Sequence, residues 1–561
     1  MLDIDNNFLY RYNLFYPEMY IRFIIRLQSK GDTLDLSKIK LIMKNNSIIN
    51  NNWELIVALI IYTISASILL NYYLYLGADT ISYINIAKTY ASGNVFEAIN
   101  GYWSPLFSWL MVPFFYLSSS QIQYVFITKI ICIIIGFFTI ISITRLYNKF
   151  EMDRTIKRVF LFTLIPVILY FSLTINTPDL LVVFILFYYL SIIYDSQYST
   201  RLYFGIFCGV LGSLAYLTKS YLFFFFLAHF ILFNMIYYWK SNSDVKKKVL
   251  KNLLLGLTVF FLISGLWIGA ISDKYGKFTI STAGEYNQGI MGPEYMGYHP
   301  LYEVGLIEPP TNYSTSIWGE PSFTKMEHWS PLASMDTILY EFKLIEKNIF
   351  KSFLLIETFF TISIFIIISA LIVILKSKAD KLSKERILYL LITIFIYIGG
   401  YTLILVEWRY FWFIFVLIMF TGFYIVNTLF ESKSINFNMR NILLIILILA
   451  FVFQPIYELF LFMDDEDPDY VLSNNLKNLG IQGGNLASNE EWVRMNGIAF
   501  YLNSKYYGIP EKTNNITNLE KELYDNRIDY FFVWNDTNFI IPGYREITGG
   551  KIKDLRIYSK I

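Results

Sequence analysis

The chain is poor in almost everything a water-soluble enzyme relies on. Only 16% of its 561 residues are charged while 55% are hydrophobic, a balance that excludes a soluble globular domain and predicts an integral membrane protein. With a formal net charge of +2 it has no basic excess to bind nucleic acid, so what matters is where the charges lie. Its two cysteines, Cys132 and Cys208, both sit in apolar runs, which excludes a disulfide framework or a cysteine metal cluster. Three histidines (His229, His299, His328) are too scattered for a zinc signature. The first fifty residues lack a short apolar core with a small-residue cleavage site, so the first span is expected to act as an uncleaved anchor.

What is abundant is long apolar sequence. A bilayer core needs about 20 apolar residues per helix. Eleven segments meet that need: 54–76, 121–146, 157–173, 179–195, 202–218, 220–239, 252–272, 352–376, 386–406, 410–430 and 440–462. Segment 105–118 is apolar but short, and is expected to be re-entrant or interfacial.

Orientation follows from lysine and arginine in the short loops. Basic residues crowd into 145–158, 240–251 and 376–386, and the N-terminal segment adds Arg22, Arg26, Lys30, Lys38, Lys40 and Lys44. All fall on one side if 105–146 makes one net crossing. The expected topology has a cytoplasmic N-terminal segment (1–52), a transmembrane domain (53–462) and an extracytoplasmic tail (463–561), in the cell membrane. Loops 77–105 and 273–351 then lie outside. The tail alternates helical and strand-like patterns: Val471–Leu479 and Leu519–Asn526 as helices, Tyr530–Trp534 as a buried strand. About one hundred residues suffice for a small α/β domain.

This topology, drawn from basic residues alone, gathers the remaining charges. Asp79 follows the first span, Asp179 sits in Asn176-Thr177-Pro178-Asp179, Lys219 in Leu217-Thr218-Lys219-Ser220, and Glu407 and Arg409 in Glu407-Trp408-Arg409-Tyr410. All are placed at outer turns. Each has a plain alternative: Asp79 as a helix cap, Asp179 as an N-terminal dipole residue, Lys219 as a snorkelling lysine, Glu407 with Arg409 as a structural pair, and Tyr102 and Trp103 as belt aromatics. Shared face and shared depth argue against all of these holding at once.

The run Asp79-x-x-x-Tyr83, Ala87, Gly93 and Tyr102-Trp103-Ser104-Pro105-Leu106 resembles the first external loop of the GT-C glycosyltransferases. The branch it is most similar to holds the protein O-mannosyltransferases and the lipid A aminoarabinose transferases. Thr177-Pro178-Asp179, Leu217-Thr218-Lys219 and Glu407-x-Arg409-Tyr410 resemble that branch's later turns, in the same order, over roughly residues 53–430. Thr80 stands where the mannosyltransferase motif carries a second acid, which leaves the acceptor open.

The resemblance implies an α-helical polytopic fold with a sugar donor carried on a polyprenyl phosphate in the membrane lipid. The acceptor is a hydroxyl on a protein, lipid or glycan. Asp79 is then the general base of an inverting transfer, Asp179 a second catalytic acid that orients the acceptor or holds Lys219, and Lys219 with Arg409 the cations for the leaving phosphate. Tyr83, Tyr102, Trp103, Ser104 and Glu407, with Glu294 and Tyr298 from the long loop, are the substrate-binding candidates. Glu285 and His299 belong to the same loop, which is expected to close over the donor. The acids lie on separate turns and define no metal site, and a single divalent cation is the one cofactor left open. The competing functions are a lipid or polysaccharide transporter and a non-catalytic scaffold. A transporter would place ionisable groups at mid-depth on broken helices, a pattern the spans lack.

Overall fold

The computed structural model describes residues 47–297, 299, 305–324, 326, 329–464, 466–511, 516–535 and 540–561. The chain divides into two units, Met1–Ile56 and Val57–Ile561. The basic N-terminal residues named above, Tyr298 and His328 lie outside the described residues.

The helices are α1 (Ser47–Leu69), α2 (Ala78–Ala91), α3 (Leu106–Phe115), α4 (Gln121–Asn148), α5 (Arg154–Thr174), α6 (Asp179–Ile193), α7 (Tyr203–Thr218), α8 (Leu222–Lys240) and α9 (Ser243–Tyr275). They continue with α10 (Ala283–Ile290), α11 (Met335–Phe359), α12 (Ser363–Lys376), α13 (Lys381–Thr402), α14 (Trp412–Glu431) and α15 (Phe437–Leu461). Among the described residues, 7 helices are long and apolar enough to cross a membrane by length and composition, or 8 if one bent pair counts as a single span.

Helix starts follow local chemistry. Ser120 and Gln123 form a reciprocal capping box at α4, the Asp153 carboxylate accepts from Thr155 N and Ile156 N at α5, and Asn242 caps α9. Helix α14 is apolar all round and buried from Trp412 through Thr428, which makes it the centre of the bundle. Glycine sets the tightest crossing. A Cβ on Gly205 would lie 2.3 Å from Asn252 O, and one on Gly209 would lie 2.3 Å from Gly256 O. These small residues, spaced four apart on α7, let its backbone touch that of α9.

Two expectations need correction. Segment 352–376 is not one straight span, because α11 begins far earlier, at Met335, and α11 and α12 meet at a 102° bend. No proline causes it. The bend is held by side chains: Phe360 packs edge-on to Phe451, and the Glu357 carboxylate accepts from Ile364 N at 3.0 Å at the start of α12. The loop expected at 273–351 is correspondingly shorter, since α9 runs to Tyr275 and is capped by left-handed Gly276 (φ 64°). Helices α6 and α7 have 15 and 16 residues. At about 1.5 Å per residue each falls short of a hydrocarbon core about 30 Å thick. Helix α3, with 10 residues, is shorter still.

The C-terminal part is a three-layer α/β unit. Helices α16 (Pro468–Asn478), α17 (Trp492–Leu502) and α18 (Ile516–Asp525) flank a five-stranded sheet of β1 (Asn485–Ser488), β2 (Lys505–Tyr506), β3 (Tyr530–Trp534), β4 (Tyr544–Glu546) and β5 (Leu555–Lys560). The strand order is β2-β1-β3-β5-β4, with β2 and β3 parallel to β1 and β5 antiparallel to both β3 and β4. Strand β3 is buried on both faces. Phe532 and Trp534 join Leu476, Met495 and Ile498 on one side, while Phe531 and Val533 join Leu519 and Leu523 on the other. The sheet edge at β2 is covered by the long loop, where Tyr506 N donates to Thr315 O at 2.7 Å and Ile307 N to Tyr507 O at 2.9 Å. That contact brings the unit to the end of the bundle where the loops after α1, α5, α7 and α13 converge.

Candidate functional site

Those loops enclose a cavity of about 450 Å³ lined by residues from six separate parts of the chain, Asp79, Asp179, Lys219, Asn287, Trp318 and Arg409 among them. Five of the charged residues singled out by topology meet in it: Asp79, Asp179, Lys219, Glu407 and Arg409.

Asp79 occupies the second position of α2, whose N-cap is Gly77 with no side-chain cap. Its carboxylate does not cap the helix. Oδ2 accepts from Arg409 Nη1 at 2.5 Å, and Oδ1 accepts from the indole Nε1 of Trp318 at 2.8 Å. Arg409 in turn donates from Nε and Nη2 to Glu407 Oε2, each at 2.9 Å. One guanidinium thus bridges two acids with three N–H groups held in one fixed planar fork.

Asp179 begins α6 directly after Pro178. Its Oδ1 accepts from Lys219 Nζ at 2.5 Å and its Oδ2 from Thr177 Oγ1 at 2.6 Å. Lys219 terminates α7 and faces inward, not along the bilayer, with its ammonium 3.8 Å from the centre of the Tyr410 ring. Burial presses the Lys219 ammonium below its usual pKa, Asp179 works against that, and nearby Arg409 adds repulsion. The result is a cation held by one carboxylate and one aromatic face.

The opposite wall is aromatic. Tyr102 and Trp103 stand edge to face at 4.6 Å, Tyr83 is 5.2 Å from Trp103, and Trp318 lies 5.7 Å from Trp103. Asn100 fixes this corner: its Oδ1 accepts from Tyr102 N and Trp103 N, and its Nδ2 donates to Gly319 O at 2.7 Å. Trp103 Nε1 donates to Trp318 O at 2.9 Å, and Tyr102 Oη to Asn287 Oδ1 at 3.2 Å. Burial pushes both the Tyr83 and Tyr102 phenols up, so they act as neutral hydrogen-bonding groups. His299 packs edge-on to Trp318 at 4.9 Å, and burial lowers its pKa, which favours the neutral ring.

Ser104 also lines the cavity. Glu294 does not; it is exposed, on a turn beyond α10, and is withdrawn from the group of residues that converge. Trp318, Asn100 and Asn287 were not singled out by sequence. The only signal for Trp318 is a tryptophan beside glycine in a loop otherwise rich in serine and threonine. Among the described residues no three His, Cys, Asp or Glu side chains are grouped as a metal site.

Part of the cavity lining is apolar and exposed. Phe224 and Phe278 line it and are 62% and 80% exposed, with Ile404 and Leu405 beside them. A cluster of charges beside an exposed apolar stretch suits a molecule with a charged head and a hydrocarbon chain.

No protein-family model matches the chain, and no curated protein sequence does. Among solved structures, ArnT from Cupriavidus metallidurans bound to undecaprenyl phosphate aligns with a TM-score of 0.51 at 10% identity, over 90% of this chain and 98% of that one. The apo state of the same protein aligns at 0.47 and 12% identity, over 91% of this chain and 98% of that one. The apo oligosaccharyltransferase of Archaeoglobus fulgidus aligns at 0.48 and 11% identity, over 87% of this chain and 70% of that one. The likeness to the first is one of fold: this chain is a polytopic helical membrane protein with the GT-C fold.

Proposed function

We propose that the protein is a glycosyltransferase that moves a hexosyl or pentosyl unit from a polyprenyl-phosphate donor to an acceptor hydroxyl at the extracytoplasmic face of the cell membrane. The observation that carries this reading is the convergence of the Asp79 carboxylate with Lys219 and Arg409 in one cavity whose lining includes the exposed Phe224 and Phe278. The fold shared with ArnT, a protein crystallised with undecaprenyl phosphate, supports a lipid-linked donor.

In this mechanism the lipid chain leaves past Phe224 and Phe278, and the donor phosphate lies between Lys219 and Arg409. Arg409 is drawn from Asp79 towards the phosphate, which frees the carboxylate oxygen it occupied. Trp318 keeps hold of the other oxygen and so keeps the base aimed. Asp79 takes the proton of the acceptor hydroxyl as its oxygen attacks the anomeric carbon from the face opposite the phosphate. The carbon–oxygen bond to phosphate breaks, its electron pair leaves with the phosphate, and the configuration inverts. Lys219 and Arg409 meet the charge that develops on the leaving group. Asp179 holds Lys219 in place, and Tyr83, Tyr102 and Trp103 offer ring faces and hydroxyls to the sugar, with Ser104 and Glu407 beside them. The tail from 463 onward serves as an extracytoplasmic domain that shapes the acceptor entrance.

Organic extraction of the purified protein, followed by mass spectrometry of the retained lipids, tests the donor class. A sugar-bearing polyprenyl phosphate is the expected result, and a preparation that retains only ordinary phospholipids after donor loading contradicts it.

A further inference from the structure

A second cavity, of about 480 Å³, lies at the other ends of the same helices. Helix α6 runs from Asp179 in the first cavity to the turn at Asp195 in the second, α7 from Tyr203 in the second to Lys219 in the first, and α13 from near Arg386 to Tyr401. With 15 and 16 residues, α6 and α7 separate the two by only about 22–24 Å at 1.5 Å per residue.

The second cavity is lined by four cations and two acids, a surplus of two positive charges: Arg145, Lys149, Arg201 and Arg386 against Glu151 and Asp195. Two of the cations are committed. Lys149 pairs with Asp195, and Arg386 Nη1 lies 3.3 Å from Glu151. The other two face aromatic rings instead. The Arg145 guanidinium is 4.7 Å from the centre of the Tyr188 ring, and Arg201 is 5.9 Å from that of Tyr203, whose hydroxyl accepts from its Nη1 at 2.7 Å. Among the described residues neither meets a carboxylate at ion-pair distance. The Tyr188 ring leaves the in-plane N–H donors of Arg145 available, and Arg201 uses Nη1 on the Tyr203 hydroxyl, which leaves its remaining N–H groups to donate to whatever enters. The rim is apolar and open: Phe207 is 51% exposed and Tyr203 45%, on the side of α7 that looks out of the bundle.

We propose that this cavity binds the phosphate of an anionic membrane lipid, with Arg145 and Arg201 as its donors and an acyl chain lying along Phe207. The shared chemistry of the ligand is a phosphate mono- or diester. Free phosphate would satisfy the arginines but would leave the exposed Phe207 rim without a role, so the lipid is the better fit. The two ion pairs set the walls of the pocket, and the unneutralised charge selects a net negative headgroup over a zwitterionic one.

The test uses the full chain purified in detergent, with bound lipid counted by native mass spectrometry across a titration. Phosphatidylglycerol, phosphatidylcholine and inorganic phosphate are the three probes. Phosphatidylglycerol is expected to bind well ahead of phosphatidylcholine. Arg145→Gln and Arg201→Gln are each expected to weaken it by about fivefold, and the double variant by about 25-fold, since each basic residue near an anionic lipid contributes about 1 kcal/mol. Glu151→Gln, which raises the local charge and removes no arginine, is expected to tighten binding, and it reads the proposal independently if an arginine variant fails to fold. Equal retention of the two lipids, or unchanged phosphatidylglycerol binding in the double variant, would overturn the proposal. Displacement of phosphatidylglycerol by millimolar inorganic phosphate would assign the pocket to a soluble anion and overturn it as well.

Discussion

Arg409 donates to Asp79 through Nη1 at 2.5 Å and to Glu407 through Nη2 at 2.9 Å, so the cation proposed for the leaving phosphate also holds the proposed base. The two functions are therefore coupled. Arg409→Lys keeps a positive charge but loses the planar fork that fixes Asp79 and Glu407 together, and it is expected to lower transfer by at least about tenfold. Single-turnover assays with saturating donor would check this; full activity in the lysine variant would show that the fork geometry is not used.

Trp318 is a positioning residue in this scheme, since it reaches the reaction only through the Asp79 oxygen it donates to. Trp318→Phe keeps an edge-on ring contact with Trp103 and removes the N–H. A hydrogen bond to a charged group contributes about 1.5–3 kcal/mol, so kcat is expected to fall by roughly ten- to a hundredfold with little change in KM. A change confined to KM would instead assign the tryptophan to substrate binding.

The Asp179–Lys219 pair is buried at 2.5 Å, with Asp179 3% exposed. Removing one partner leaves an uncompensated charge, and Asp179→Leu is expected to destabilise by about 3–5 kcal/mol. The double variant Asp179→Leu with Lys219→Met is expected to unfold at a higher temperature than Asp179→Leu alone. Thermal unfolding followed by intrinsic fluorescence reads this, and an equally unstable double variant would mean that packing, not charge, dominates.

The crossing of α7 and α9 depends on absent side chains. Gly209→Leu would drive a side chain into Gly256 O, whereas Gly265, also on α9, has nothing within 4 Å of an added Cβ. Gly209→Leu should abolish a monodisperse elution peak in detergent while Gly265→Leu elutes normally.

In the C-terminal unit, burial and the neighbouring Asp467 push the Asp469 carboxyl up to about 7, against the lowering effect of Arg494. A raised folded-state value means the protonated acid is favoured by the fold. The stabilisation is complete below about pH 4, the unfolded value, and is lost as pH rises through 7. Asp469→Asn should flatten this dependence in a pH series of unfolding temperatures, and an unaltered slope would place the titration elsewhere.

Four of the five charged residues of the cavity were legible in sequence because each sits on a short turn between apolar segments, and Asp79 because it directly follows the first apolar run. The strand Tyr530–Trp534 was legible because a run of large apolar residues buried on both faces has few alternatives. The aromatic wall was not. Trp318 meets Asp79 across 239 positions, and Asn100 meets Gly319 across 219, separations at which no periodicity carries information. Glu294 shows the converse: an acid in a functional-looking loop has the right chemistry, and it lies outside the cavity lining. The bend between α11 and α12 escaped notice because it is made by phenylalanine packing and a carboxylate cap, with neither proline nor glycine to mark it.

Asp79→Asn tests the central claim most directly. The variant keeps an acceptor for the Trp318 N–H and removes the base. With the donor identified from wild-type extracts, transfer by the asparagine variant is expected to fall by about 10²–10⁴-fold while donor binding stays within a few-fold of wild type. Transfer at the wild-type rate, with donor still bound, would contradict the assignment of Asp79 as the base.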